Sequence, residues 1–336
     1  MQLDERDLQL LHALQIAPRV TWTDAARILR AGRSSLVARW TRLRSAGLAW
    51  VSAQPGAGYR DVTLSLVEVD CLPGKRPDVL RAVCRDPRVV TVEESTRGRD
   101  LLLTVITHDL PELTVFLLDH LESLPGVARQ RSHVATRVHR HGSHWRLDAL
   151  EPAQEAAFER IARRAPKGPG GRVPAALTPL IQALAQDGRA SAADLARALG
   201  QNPATTRRQL QRVLRSGLLS FRCELAAEVS GWSVSSTWTA RVEAADHDRA
   251  VTALASLPEL RMCISTTGET NLAMTIWTRS VGDIQRIELL LGARLPFLRL
   301  RDNAINLRTP KRMGCMLDAT GRSTGRVIVP SALLPR

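Results

Sequence analysis

The chain repeats itself at a fixed spacing, and that spacing limits what it can fold into. Residues 25–48 read AARILRAGRSSLVARWTRLRSAGL and residues 195–218 read LARALGQNPATTRRQLQRVLRSGL. Identities recur 170 positions apart, at Ala26/Ala196, Arg27/Arg197, Leu29/Leu199, Arg42/Arg212, Gly47/Gly217 and Leu48/Leu218. Leu10/Leu180, Leu14/Leu184, Arg19/Arg189 and Asp24/Asp194 extend the series. A second series lies 171 apart, at Pro87/Pro258, Thr96/Thr267, Leu101/Leu272, Leu124/Leu295 and Pro125/Pro296. In 336 residues such a period leaves room for two copies of one two-part unit.

The first part of each copy reads as three helices. Leu3, Leu10, Leu11 and Leu14 form an apolar stripe, Asp4 and Glu5 suit the positive end of a helix dipole, and Pro18 stops the helix. A short second helix is expected from about Thr23 to Arg30, capped by Thr23 or Asp24. After the turn at Gly32, a third runs from about Arg33 to Ala46 and ends at Gly47. Leu36, Trp40 and Leu43 share one face of it, leaving Ser34, Ser35, Ala38, Thr41 and Arg42 on the other. In the second copy Thr206, Leu210 and Val213 rebuild the stripe, with Ala204, Thr205, Arg208, Gln211, Arg212 and Arg215 facing away. A tight turn before an exposed third helix is the helix-turn-helix pattern, whose last helix enters the major groove.

The second part alternates strands and helices. TLSLVEVD (63–70), a helix near 77–85, VVTVEES, DLLLTVIT, a helix near 110–121 and a strand near 127–138 give the order βαββαβ. TWTARVE, a helix from about 246, RMCISTT, NLAMTIW, a helix near 281–291 and LRLRDNAINL repeat it. The expected class is therefore α+β, with two winged or tri-helical helix-turn-helix domains (1–53 and 177–221) alternating with two ferredoxin-like ones (60–140 and 225–309). Residues 141–176 read as a linker with a short helix, since APKGPGGRVP is built of chain-breaking residues. The tail, 310–336, is expected as an edge strand on the second half.

Charge points to the partner. The net charge is +14, and the two repeated windows hold six and five arginines with no acid between them. A basic stripe of this kind suits phosphate neutralisation, and hydroxyls, Gln and Arg read phosphates and base edges. The expected DNA-facing residues are Arg33, Ser34, Ser35, Arg39 and Arg42 on one head, and Ala204, Thr205, Arg207, Arg208, Gln211 and Arg212 on the other. An amphipathic helix with a merely solvated charged face explains one window, but not its repetition. The five scattered cysteines read as reduced thiols of a cytoplasmic protein. The acidic start lacks the apolar core of a signal peptide, and no apolar run suits a membrane span.

These motifs together resemble the leucine-responsive/asparagine-type (Lrp/AsnC) regulator family in a tandem fused form. LDERDLQLLHAL, SSLVARWTRLRSAGL and DPRVVTVEESTRGRDLLL carry the resemblance in the first copy. DGRASAADLARALG, TTRRQLQRVLRSGL, SLPELRMCISTTGETNLAM and RLPFLRL carry it in the second. The resemblance implies a bacterial cytoplasmic transcriptional regulator that binds double-stranded DNA and pairs through its sheets. One chain would then form an intrachain pseudo-dimer, with further homo-oligomers to follow. It also implies an amino acid or related effector near the turn between the middle strands, where the family has Gly-x-x-Asp. The residues there are Arg97, Gly98 and Asp100 in one copy and Thr267, Gly268, Glu269 and Asn271 in the other. In the first the glycine is displaced by one position, and in the second Asn replaces the Asp. A tight hairpin needing Gly accounts for the same residues. On the heads, Gly32 stands where the family has a Ser cap, and Gln209 where it has the Arg that Arg39 retains.

No cofactor is expected, and no Ser-His-Asp pattern, P-loop or carboxylate pair suggests an enzyme. One rival is a small-molecule sensor with one inactive DNA head; the other is a sirohaem decarboxylase, since some proteins resembling this architecture have that activity. His139, His141 and His144 would be its candidate cluster; otherwise they are solvated surface histidines.

Overall fold

The structure, a computed structural model, describes residues 3–56, 62–96, 98–164, 168 and 174–335. The first head comprises α1 (Glu5–Ile16), α2 (Trp22–Leu29), α3 (Arg33–Ser45) and the strand β1 (Ala49–Pro55). Asp4 and Asp7 close a capping box at the start of α1. The cap of α2 is Thr21, whose hydroxyl accepts the Asp24 N–H at 3.0 Å, not Thr23 or Asp24 as the sequence suggests. Gly32 precedes α3 with no side-chain cap.

The first sheet unit follows as β2 (Thr63–Cys71), α4 (Arg76–Arg85), β3 (Val89–Ser95), β4 (Leu101–Thr107), α5 (Leu110–Thr114) and β5 (Val127–Arg140). A π-helical stretch, Val115–Leu121, prolongs α5. After α6 (Pro152–Arg164) comes the second head, with α7 (Thr178–Gln186), α8 (Ala192–Leu199), α9 (Pro203–Ser216) and β6 (Leu219–Leu225). A short α10 (Ala227–Ser230) leads to β7 (Val234–Arg241), α11 (His247–Ala255), β8 (Leu260–Thr266), β9 (Leu272–Thr278), α12 (Gly282–Arg294) and β10 (Arg299–Arg312). A terminal hairpin, β11 (Cys315–Leu317) and β12 (Ser323–Val327), completes the order.

Within the two units the strand orders are β3-β4-β2-β5 and β8-β9-β7-β10, with antiparallel neighbours. They join twice. β5 pairs with β8, setting Ala135 against Thr266, and β10 pairs with β3, setting Asn306 against Ser95. Eight strands thus close into a ring, which leaves these strands no free edge. The helices of each unit pack on the outside, over Val79, Val83 and Phe116 in one unit and over Ala250, Leu254 and Ile287 in the other. Leu66, Leu102, Ile264 and Ala273 meet in the interior.

The heads are fused as well. β1 and β6 form an antiparallel ribbon from Ala49↔Leu225 to Pro55↔Leu219. α1 packs on β6 and α7 on β1, so each head completes the other. Arg19 donates to the carbonyls of Gly188 and Ala190, and Arg189 returns the exchange to Pro18 and Val20. The Arg189 guanidinium also lies 4.1 Å from the Trp22 ring centroid, and burial lowers its pKa to about 10.

One sequence expectation needs correction here. The segment 141–176 is more than a linker, because α6 packs on α1 and α2 and buries Phe158 completely. His12 of α1 fixes the approach by accepting the Ala149 and Leu150 N–H groups, each at 3.2 Å. Most of the Pro/Gly-rich stretch, 165–167 and 169–173, lies outside the described residues. The tail is at a sheet edge and touches both halves: its hairpin pairs with β10, Gln186 donates to the Val327 carbonyl at 3.1 Å, and Leu333 packs beside Leu180 and Leu184 of the second head. β10 leaves β7 after Asn306 and runs on beside β3, carrying the hairpin with it. Ser323 then donates to the Gly47 carbonyl and Ser331 to that of Pro87.

Candidate nucleic-acid interface and effector turns

The third helix of each head buries one stripe and exposes the other. Leu36, Trp40 and Leu43 are buried in α3, and Thr206, Leu210 and Val213 in α9. Arg33, Ser34, Ser35 and Arg42 of α3 are exposed, as are Ala204, Arg207, Arg208, Gln211 and Arg212 of α9, while Thr205 is half-buried. Asn202 caps α9 by accepting the Ala204 N–H at 2.8 Å. Both helices therefore present a polar face that a groove can receive.

The two faces differ in free charge, which the windows conceal. In the first head Arg39 reaches back to α1, with Nη1 2.7 Å from Asp4 and 2.8 Å from Asp7. Hydrogen bonding to Arg39 holds the Asp4 carboxyl below its usual range and raises Arg39 in return. Arg42 lies 2.6 Å from Asp7, and Arg44 lies 2.7 Å from Asp187 of the second head. Arg27 pairs weakly with Asp24 at 3.4 Å. Four of the six window arginines thus have a carboxylate. In the second head Arg197 has Asp194, whereas Arg207, Arg208, Arg212 and Arg215 have no carboxylate within 4.0 Å among the described residues. The expectation of uncompensated windows holds for α9 and is corrected for α3. Arg39 is a half-buried tie to α1, not a groove-facing group. Sequence reading missed these partners because Asp4 and Asp7 lie far from α3 along the chain and read as ordinary helix-start acids.

The turns expected to hold an effector occupy equivalent places in the two units. The carboxylate of Asp100 accepts the Cys71 N–H at 2.7 Å. Asn271 accepts the Val242 N–H at 2.9 Å and donates to the Val242 carbonyl at 2.8 Å. Asn271 therefore keeps the role of Asp100 and adds a donor, so the Asp-to-Asn difference leaves the turn intact. Each turn rests on the last strand of the opposite unit. Thr96 donates its N–H to Ile305, and Thr267 donates its N–H to Val134. Gly268, with φ 115°, sits over His133, and the carbonyls of Gly268 and Glu269 accept from Arg241 at 3.4 Å. The Gly98 carbonyl accepts from Arg131 at 2.6 Å. Arg97 lies outside the described residues. Arg99, absent from the expected set, is the buried member of the first turn, pairing with Glu68 at 2.9 Å and Asp302 at 3.3 Å. Its Nε and Nη2 are buried without a partner.

The three histidines do not converge. His139 shares the Ser265 hydroxyl with His247, at 2.6 and 3.1 Å, and is half-buried, so it is not the solvated residue expected. His141 and His144 are exposed with ring centroids 6.0 Å apart. No group of three or more His, Cys, Asp or Glu among the described residues is placed to hold a metal ion.

Comparison with known proteins assigns two of the parts. Residues 64–144 match the Lrp/AsnC ligand binding domain, and residues 180–220 match a winged helix-turn-helix DNA-binding domain. An uncharacterized HTH-type transcriptional regulator of Pyrococcus horikoshii is 27% identical over 146 residues, covering 42% of this chain and 91% of the relative. The HTH-type transcriptional regulator FL11 of Pyrococcus furiosus is 27% identical over 142 residues, 41% and 92% of the two chains. The siroheme decarboxylase NirDL, solved with an iron-uroporphyrin III analogue, superposes with a TM-score of 0.61 at 13% identity, covering 92% of this chain and 93% of its own. At that identity the likeness shows the fold alone. The chain is thus a mixed α+β protein that carries an Lrp/AsnC ligand-binding domain and a winged helix-turn-helix.

Proposed function

We propose that the chain is a DNA-binding transcriptional regulator of Lrp/AsnC type, built as two complete units of helix-turn-helix and ferredoxin-like domain in tandem. The observation that carries this reading is α9, an exposed helix whose Arg207, Arg208, Arg212 and Arg215 have no carboxylate within reach among the described residues. Guanidiniums held this way release counterions from a duplex and position neighbouring Gln211, Ala204 and Thr205 over base edges. Arg33, Ser34, Ser35 and Arg42 do the same on α3 with less free charge. The ring of two units acts as an internal pseudo-dimer, so one chain brings two unlike heads to an imperfect palindrome, with half-sites about 34 Å or a multiple of it apart. Further pairing of chains belongs to the same proposal, as does an amino acid or related effector at the turns of Gly98, Asp100, Thr267, Gly268, Glu269 and Asn271. The protein works in the cytoplasm on this reading, and no helix among the described residues is long and apolar enough to cross a membrane. Selection of bound fragments from random DNA, with and without a panel of amino acids, tests it. The expected product is an asymmetric site that both heads protect in a footprint. A symmetric site with one head engaged, or no enriched sequence, contradicts it.

One observation favours a second reading, tetrapyrrole chemistry, namely the fold likeness to NirDL over 92% of the chain. Within the ring, size speaks against it. The chamber inside the ring beside Arg261 measures about 90 Å³, whereas sites for drug-sized ligands run to roughly 300–1,000 Å³. A Soret band acquired on mixing with an iron uroporphyrin would support the enzyme.

A further inference from the structure

The arginines that matter least to the DNA reading form the most unusual cluster in the molecule. Arg222 on β6, Arg261 on β8 and Arg312 on β10 all line one interior chamber of about 90 Å³. Two of them share Glu224, with Arg222 Nε 2.7 Å from one oxygen and Arg261 Nη2 2.9 Å from the other. Arg312 donates to the Leu225 carbonyl at 3.2 Å and has no carboxylate within 4.0 Å among the described residues. The Trp277 ring lies under two of the guanidiniums, 3.8 Å from Arg261 and 5.4 Å from Arg312. Glu93 also lines the chamber and accepts from Asn306 at 3.0 Å, and burial pushes its carboxyl upward. Three cations thus face two carboxylates, Glu224 and Glu93, and Arg261 is largely removed from water. Such an arrangement is costly unless something negative joins it.

The fold itself does not require these charges. At the 170- and 171-residue offsets, Arg222, Glu224, Arg261, Trp277 and Arg312 correspond to Ser52, Gln54, Val90, Ile106 and His141. The equivalent corner of the ring is therefore built without a buried guanidinium cluster. Gly142 makes room for one of the guanidiniums, since a Cβ there would come within 2.6 Å of Arg222 Nη2. The remaining walls mix apolar side chains with the hydroxyls of Thr91, Thr104, Thr237 and Thr275. Apolar walls with a few converging polar groups are what a small-ligand site requires.

We infer that this chamber binds a compact oxyanion, a phosphate or a short dicarboxylate of malonate size, clasped by Arg222, Arg261 and Arg312 beside Trp277. At about 90 Å³ the chamber suits a small ion better than a drug-sized ligand. The site is separate from the effector turns. Because β6 is the ribbon strand of the second head, the anion ties that head to the ring.

The test is thermal unfolding of the full chain at constant ionic strength, with chloride exchanged in steps for phosphate, malonate or acetate. A bound anion raises the midpoint along a saturating curve. Arg312→Gln, which breaks no ion pair, is expected to weaken the effect at least tenfold, and Gly142→Ala, which displaces Arg222, to weaken it similarly. Arg301→Gln, an exposed change on the same strand, is expected to leave it unchanged. Phosphate acting without malonate, or the reverse, identifies the source of the oxyanion. A midpoint that none of the three anions raises saturably overturns the inference, as does an equal rise in wild type, Arg312→Gln and Gly142→Ala. DNA is absent from this assay, so its failure is distinct from failure of the regulator reading.

Discussion

The two heads share a fold and a ribbon but not an electrostatic state. In the first, Asp4 and Asp7 of α1 turn Arg39 and Arg42 into partners of their own domain. In the second, α7 carries TPLIQALAQ, with no acid to offer, and the arginines of α9 remain free of carboxylates among the described residues. The difference teaches that a cationic sequence window is not yet a cationic surface. What decides is the charge on the helix packed behind it, here two residues of α1. An ion pair at an exposed site contributes little to stability, but it removes a cation from the pool that can neutralise phosphate.

The largest expected effect comes from the free head. Arg208→Ala combined with Arg212→Ala should weaken binding to a selected operator about 100-fold at moderate salt, since two phosphate contacts go together. Arg241→Ala, on the sheet, should change it less than twofold in the same gel-shift titration. Equal losses would remove α9 from the groove.

The next effect separates the heads by acid. His12 is buried in the first head, where burial, then the charge of Arg146, lowers its pKa from 6.5 to about 4. The second head has Gln182 in the equivalent place. Below pH 6.5 the unfolded chain takes up a proton that the folded head refuses until about pH 4. Stability is therefore complete above the unfolded pKa and falls by about 3 kcal/mol on the way to pH 4. His12→Gln should flatten that part of the pH profile, read by denaturant unfolding. An unchanged profile would mean that His12 does not distinguish the heads.

A smaller change should make the first head resemble the second. Asp7→Asn discharges the buried partner of Arg39 and Arg42. It should cost about 1 kcal/mol of stability through the lost ion pairs and a weakened capping box, while raising DNA affinity severalfold. Affinity that falls instead would show that the pairing orients Arg42 for DNA. Smallest of all is Asp100→Asn at the first turn, which keeps the acceptor for the Cys71 N–H as Asn271 does for Val242. It should stay within about 0.5 kcal/mol by thermal unfolding.

Much of this architecture is legible in the chain because periodicity is a local signal. The spacing of Leu36, Trp40 and Leu43 suffices to orient α3, and the 170-residue echo identifies a second head. The alternation of strands and helices likewise places both sheet units. The partners are not legible, because they are set by packing across long separations. Asp7 meets Arg42, Asp187 meets Arg44, and Glu224 meets Arg261 only once α1, the ribbon and the ring have assembled. The docking of α6 escaped for the same reason. Its few apolar residues look too sparse for a core helix, yet Phe158 is buried completely in the core of the first head. The tail's contacts with the first half were not legible because β10 changes partners midway, and nothing in RDNAINLRTPKR marks Asn306 as the crossing point.

The central claim is that equal folds present unequal free charge, and the salt dependence of operator binding measures it most directly. For wild type, for Arg33→Ala with Arg42→Ala, and for Arg208→Ala with Arg212→Ala, the slope of log affinity against log salt should be compared on one selected site. The account predicts a slope reduced by about 2 for the second-head pair and by less than about 1 for the first-head pair. Equal reductions in both pairs, or none in either, would contradict it.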